Sequence, residues 1–327
     1  LTDHGHTEPF IDLPVEPYTG PDRAAAVTDH AAVAWHLSFD RSRRESPAFV
    51  DVFRSFCEHV RSEEVRELLI GTWDELGNHG SEEVVSLLCE AADRLPALRA
   101  LYLGDIPWEQ SEISWITQSD VTPLLEAFPR LRQLVVRGGG VRLRPVRHDE
   151  LRLLRVETGG LPASTVRAVG ASDLPALHRL ELWMGEEEYG ADSGVEDLAG
   201  ILSGERLPSL RHLGLRNSEY QDDIAAAVAT APVVPRLHSL DLSMGALGDA
   251  GATALLTGQS LAHLATLDLS HHFMSDEVMG RVRRRMRSLE VAVDLDDQLE
   301  EEHDCEEGAE GGPDCDCVRY RYAAVGE

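Results

Sequence analysis

The sequence predicts an α/β solenoid, with a parallel β-sheet lining the inner face and helices on the outer face. Three observations predict it. A six-residue leucine phrase recurs at irregular but short intervals, proline tends to stand two residues before it, and the intervals carry helical apolar periodicity. The clear copies are Leu98-Arg-Ala-Leu-Tyr-Leu103, Leu131-Arg-Gln-Leu-Val-Val136, Leu151-Arg-Leu-Leu-Arg-Val156 and Leu177-His-Arg-Leu-Glu-Leu182. Leu210-Arg-His-Leu-Gly-Leu215, Leu237-His-Ser-Leu-Asp-Leu242 and Leu264-Ala-Thr-Leu-Asp-Leu269 continue the series. The prolines are Pro96, Pro129, Pro175, Pro208 and Pro235. Val65 to Ile70 reads as an earlier copy, and Met286 to Val291 as a frayed last one.

The physics of the phrase is specific. In L-x-L two apolar side chains point to one face of a short strand, and the first Leu tucks into the same core from the preceding turn. One such strand cannot bury that face alone, so neighbouring coils stack and share a continuous core. This is the logic of a leucine-rich-repeat horseshoe, and the copies give about eight to nine coils over residues 65–293.

The elements follow in order. Residues 1–30 read as a partly disordered extension. Residues 31–64 read as an N-terminal cap, with a strand near Val33 to Phe39 and a helix from Pro47 to Val60. Ser81 to Arg94, Ser119 to Phe128, Ser193 to Leu202, Glu219 to Ala229 and Leu247 to Leu256 carry the convex helices, with Ser81 as an expected N-cap. Gly204 and Gly258 fall where C-caps belong, and Ser275 precedes the last helix, Asp276 to Met286. Arg137 to Glu150 is glycine-broken and too short for a helix with two turns, so an extended segment or tight loop is expected there. Residues 294–317 form an acidic, cysteine-containing tail with the composition of disorder, and residues 318–327 an aromatic closing segment.

The net charge is -28, from 58 Asp and Glu against 30 basic residues that are all Arg. Such a chain repels phosphate polymers and anionic bilayers, so nucleic acid and membrane are not expected as partners. No apolar run has the length of a membrane span. The acidic opening lacks a basic stretch followed by an apolar one, which gives a cytoplasmic expectation. The five cysteines are odd in number and imply no secreted disulfide framework.

The residues between the leucines should face the concave side. Down the stack, the middle x of L-x-L reads Leu69, Tyr102, Val135, Arg155, Glu181, Gly214, Asp241, Asp268 and Glu290. The residue after the last Leu reads Gly71, Gly104, Arg137, Glu157, Trp183, Arg216, Ser243, Ser270 and Ala292. The floor is then apolar at the N-terminal end, Arg-bearing in the middle and carboxylate-lined at the C-terminal end. Trp183 flanked by Arg155, Arg216 and Glu181 is an anchor arrangement, since Trp and Arg dominate interface hot spots. Arg137, Glu157 and Tyr102 extend it, and Asp241, Asp268 and Glu290 make a row suited to a basic peptide. The competing reading is that these polar residues only solvate the sheet, because Leu-Asp-Leu-Ser is common in such repeats.

Other candidates read as structural. Trp115, in the loop Gly104 to Gln118, is expected to pack under the following helix, and Trp35 and Trp73 to serve the cap or core. His303, Cys305, Cys315 and Cys317 have irregular spacing for zinc, so no metal is expected. The run Arg281 to Arg287 is expected to be neutralised by the acidic tail, and His271-His272 lacks a third ligand. No phosphate loop, dinucleotide fingerprint or nucleophile elbow appears, so no cofactor and no enzymatic activity are expected.

The phrase Leu247-Gly-Asp-Ala-Gly-Ala-Thr-Ala-Leu-Leu256 after Leu-Asp-Leu-Ser resembles the ribonuclease-inhibitor-like class of leucine-rich repeats. Ile70-Gly-Thr-Trp73, Glu112-Ile-Ser-Trp-Ile116, Glu157-Thr-Gly-Gly-Leu161, Leu180-Glu-Leu-Trp183 and Leu213-Gly-Leu-Arg-Asn-Ser-Glu219 resemble an uncharacterised, largely actinobacterial family of leucine-rich-repeat proteins. That resemblance carries no activity. It implies genes for radical-SAM and ATP-grasp proteins nearby, and so an accessory or substrate-presenting role. The expectation from the residues themselves is a binder of protein or peptide through the concave face, with a hydrolase using the carboxylates Asp241 and Asp268 as the weakest alternative.

Overall fold

The computed structural model describes residues 12–39, 47–74, 79–304 and 318–326. Eleven strands form one sheet in chain order, and every neighbouring pair is parallel. They are β1 (Val15–Pro17), β2 (Ala34–Leu37), β3 (Glu67–Ile70), β4 (Ala100–Leu103), β5 (Gln133–Arg137) and β6 (Leu153–Glu157). β7 (Arg179–Gly185), β8 (His212–Ser218), β9 (Ser239–Asp241), β10 (Thr266–Asp268) and β11 (Ala292–Asp294) complete it. Consecutive parallel strands need a crossover, and the convex segments supply one per coil.

The leucine phrase explains the packing. The first Leu of each clear copy (98, 131, 151, 177, 210, 237 and 264) is at most 3% exposed. Each fills one layer of a single core that runs from Tyr18 to Leu295. Because a coil touches only its neighbours, truncating one such Leu opens a cavity that the next coil cannot fill, at about 2–5 kcal/mol.

Several expectations are corrected. The sheet starts earlier than residue 31: β1 and α1 (Pro21–Ala26) lie in the stretch read as an extension. Its end also differs. The register pairs Thr266 with Ala292 and Asp268 with Asp294, so β11 lies beyond Met286 to Val291. Glu290 and Ala292 therefore do not hold the floor positions first given to them. Glu290 sits in a left-handed turn at φ 60°, which shifts the strand. Ser81 does not cap the helix Glu82–Glu90; its hydroxyl pairs with Ser119 across the coil at 2.9 Å. Gly204 is a left-handed C-cap, whereas Gly258 is extended. Ser275 does cap the helix Asp276–Ser288, accepting from Val278 N at 3.4 Å. No helix forms among residues 138–152, and bridges Asp120–Arg142 and Arg147–Asp173 run through that extended stretch. Within the stretch read as a disordered tail, Glu302–Asp304 (β12) pairs antiparallel with Val318–Tyr320 (β13). Cys305, Cys315 and Cys317 lie outside the described residues.

Candidate binding face on the concave floor

Strand alternation places three residues of each coil on the concave side, and the register aligns them in three rows. The middle row runs Leu69, Tyr102, Val135, Arg155, Glu181, Gly214, Asp241, Asp268 and Asp294. The row after it pairs Arg137 with Glu157 and Trp183 with Arg216. The row before it, overlooked in the sequence reading, holds Gln133, Leu153, Arg179, His212, Ser239 and Thr266. Period two alone points to it: residues 179, 181 and 183 of one strand share a face. The apolar end exists as a small separate cluster of Ala100, Val135 and Leu153 with Tyr102.

The middle of the floor is a self-paired charge network. Glu157 accepts from the Tyr102 hydroxyl at 3.1 Å and from Arg137 Nη1 at 3.0 Å. Arg155 Nη1 stands 3.7 Å from Glu157, and Arg155 Nε stands 2.5 Å from Glu181 Oε2. That last approach is an ion-pair contact without hydrogen-bond alignment. Glu181, 1% exposed, also meets Arg179 at 2.5 Å and His212 at 3.2 Å. Burial alone would raise its carboxyl, but His212, Arg155 and Arg179 hold it well below the usual carboxylate range. Gly214 belongs to this arrangement, since a Cβ there would stand 3.1 Å from Glu181 Cγ. Tyr102, Arg137, Glu157, Arg155 and Glu181 thus come together as predicted neighbours, but they bind one another.

The C-terminal part is differently balanced. Asp241 and Asp268 each accept from the backbone N–H and the hydroxyl of the serine two residues on, at 2.6–3.0 Å. The recurring Leu-Asp-Leu-Ser therefore closes the strand with an Asx turn through one carboxylate oxygen. The other oxygen of Asp241 pairs with Arg216 Nε at 3.1 Å. Asp268 makes no ion pair among the described residues. Burial and the neighbouring Asp241 push its carboxyl up to about 6, against the turn bonds from Ser270 and the more distant Arg216. A concavity of about 920 Å³ opens over these residues, lined by Arg179, His212, Arg216, Asp241, Asp268 and Asp294 among others.

Trp183 stands at the junction of the two parts. It is half-buried, Arg216 Cζ lies 5.9 Å from its ring centroid, and its indole N–H has no acceptor. Trp108 and Trp115 are 58% and 67% exposed, so Trp115 does not pack under a helix as expected. The 3₁₀ turn Ile113–Trp115 buries Ile113 instead, which turns the Trp outward. His272 is buried, facing the Leu295 carbonyl and accepting from Met274 N. Arg281, Arg283, Arg284, Arg285 and Arg287 form no salt bridge among the described residues, and most of the acidic tail lies outside them. No group of three or more metal-ligating side chains occurs among the described residues, and no described helix is long and apolar enough to cross a membrane.

No protein-family model and no curated protein matches the chain. A solved structure of a protein from Bacteroides fragilis matches with a TM-score of 0.70 at 29% identity, covering 76% of this chain and 70% of that one. A TLR13–ssRNA13 complex matches with a TM-score of 0.34 at 15% identity, covering 73% of this chain and 37% of that one. With every leucine phrase in register in one parallel sheet, the fold is decided. The chain is a leucine-rich-repeat solenoid. The irregular spacing of its copies reflects convex segments of unequal length, not breaks in the sheet.

Proposed function

We propose that this solenoid is a non-enzymatic binding protein that takes a basic protein or peptide segment on the C-terminal half of its concave floor. The observation that carries the reading is Asp268, a half-buried carboxylate with a raised pKa and no ion pair among the described residues. A partly desolvated charge left uncompensated is costly, and a ligand guanidinium or ammonium would supply the missing partner. Asp294 on the next strand and Asp241 on the previous one continue the acidic row. Trp183 offers a half-buried ring face beside it. Arg155, Glu181, Arg137, Glu157 and Tyr102 support this floor by stiffening the strands, since their charges are already matched. Presenting such a segment to a modifying enzyme, the role implied by the sequence resemblance, would use the same surface.

The test uses a labelled Arg/Lys hexapeptide and a Glu/Asp hexapeptide as control. Binding of the basic peptide should weaken at least about tenfold in Asp268→Asn, and also weaken in Trp183→Ala. Asp268→Asn removes one of 58 acidic residues, so loosely held peptide would not register the change. Unchanged affinity in folded variants overturns the proposal.

A further inference from the structure

A left-handed residue stands at or just beyond the C-terminal end of several strands. It is glycine at Gly104, Gly138 and Gly185, but Asn217, Met244 and His271 occupy it further on, at φ 54°, 67° and 55°. Non-glycine residues there carry strain that the surroundings must hold. Residues 321–326 run back across this rim of the horseshoe, against chain order, and touch those three turns in succession. Tyr322 packs edge-on against His271 and Phe273, with centroids 5.7 and 5.4 Å apart. Ala324 N donates to Met244 O at 2.7 Å. Asn217 grips Val325 on both sides: Oδ1 accepts from its N–H at 2.8 Å, and Nδ2 donates to its carbonyl at 2.5 Å. Ala323 N donates to Glu186 at 2.7 Å, and Arg321 pairs with Asp222 at 3.1 Å and Glu301 at 2.9 Å.

Two features separate this seat from ordinary packing. First, most of these bonds go to main-chain atoms of residues 323–325, so they hold the path of the backbone, while Arg321 and Tyr322 supply the side-chain contacts. None of residues 320–326 belongs to the hydrophobic core, and Ala323 is the one buried residue among them. Second, the body is cut back to admit it. A Cβ on Gly159 would collide with the Gly326 carbonyl, although Gly159 has no positive φ that would otherwise require glycine.

We propose that this rim is a second peptide-binding groove, built for a segment with a basic residue, then an aromatic, then small residues. In this structure the chain's own residues 321–326 fill it. The groove pairs a main-chain clamp at Asn217 with an acidic seat at Asp222 and Glu301 and an aromatic seat at His271 and Phe273. A partner carrying such a segment docks by displacing the chain's own copy, whose tethering gives it a high effective concentration. The concave floor plays no part, so the two proposals fail separately.

The experiment places a protease site between Gly311 and Gly312 in the full chain and cuts it under native conditions. A fluorescent synthetic peptide with the sequence of residues 318–327 is then added to cut and uncut protein. Binding is expected to the cut protein and to be at least about tenfold weaker to the uncut one. In the cut protein, Asn217→Gly, which keeps the left-handed turn but removes the clamp, should weaken it at least about tenfold, as should Gly159→Ala. Asp268→Asn should leave it unchanged, and a peptide with Ala for the tyrosine at position 322 should lose most of its affinity. Failure of the cut segment to exchange with excess peptide overturns the proposal. So do unchanged affinities in both Asn217→Gly and Gly159→Ala, and a tail-exchanged dimer of the uncut chain, which would make a second copy the occupant.

Discussion

Replacing Asp268 by Asn removes a charge that the fold holds against its own burial, and the size of the effect follows from the site. The amide keeps an oxygen for the Ser270 N–H and hydroxyl, so the Asx turn survives. What disappears is the ionised form, raised from 3.8 to about 6 by desolvation first and by Asp241 second. A group whose folded pKa is raised favours folding below its unfolded pKa, and that advantage is lost as pH rises through the folded value. Ionised Asp268 therefore weakens the fold at neutral pH. At about 1.36 kcal/mol per pH unit, the penalty against a neutral isostere is about 3 kcal/mol at pH 7.5. It shrinks to about 1 kcal/mol at pH 4.5 and to near zero by pH 3, because the folded protein binds the proton first. Urea denaturation of wild type and Asp268→Asn at pH 7.5 and pH 4.5 reads this directly. The variant should be the more stable protein at pH 7.5, with the gap narrowing in acid, while losing the basic peptide. Residues that raise affinity at the expense of stability mark binding sites. A variant that is less stable at pH 7.5, or a gap that does not change with pH, refutes the reasoning.

The remaining predictions concern the rest of the floor, the rim and the core. Glu181→Ala strands Arg155, Arg179 and His212 without their shared anion, and should cost about 3–5 kcal/mol by chemical denaturation at pH 7. Because its folded pKa is depressed, the wild-type advantage should fade as pH drops through the folded value, below the ordinary carboxylate range. Burial lowers the pKa of His271 despite its contact with the Tyr322 carbonyl. Its contribution is present above about 6.5 and lost as pH falls, so the protection factors of residues 321–326, corrected for the intrinsic pH dependence of exchange, should fall as pH drops below that value. His271→Gln should remove that pH dependence. Leu210→Ala, in a fully buried position, should lower stability by about 2–5 kcal/mol, read from the urea midpoint.

How much of this was legible beforehand depended on whether the signal was periodic. The seven leucine copies determined the parallel sheet, its order and its register over β4 to β10, because period-two alternation admits no other burial of L-x-L. The same alternation put Tyr102, Arg155, Glu181, Asp241 and Asp268 in one row, as the register shows. The copies were silent where the phrase decays. β1 carries no leucine phrase and β11 lies beyond the frayed Met286 copy, so both ends of the sheet came from tertiary pairing. Charge pairing was equally hidden. A row of Arg and Glu looks the same on paper whether it awaits a partner or neutralises itself; interstrand distances of 2.5 to 3.7 Å decide that Arg155 and Glu181 are spent and Asp268 is not. The seat of residues 321–326 across Asn217, Met244 and His271 lay furthest from reach. It joins atoms some 50 to 108 residues apart through main-chain bonds, and main-chain bonds leave no pattern in side-chain identity. The sequence alone determined the coil and what each coil shows to the inside of the horseshoe. Only the folded chain decided which of those groups remain unpaired, because pairing depends on distance across strands and not on order along them.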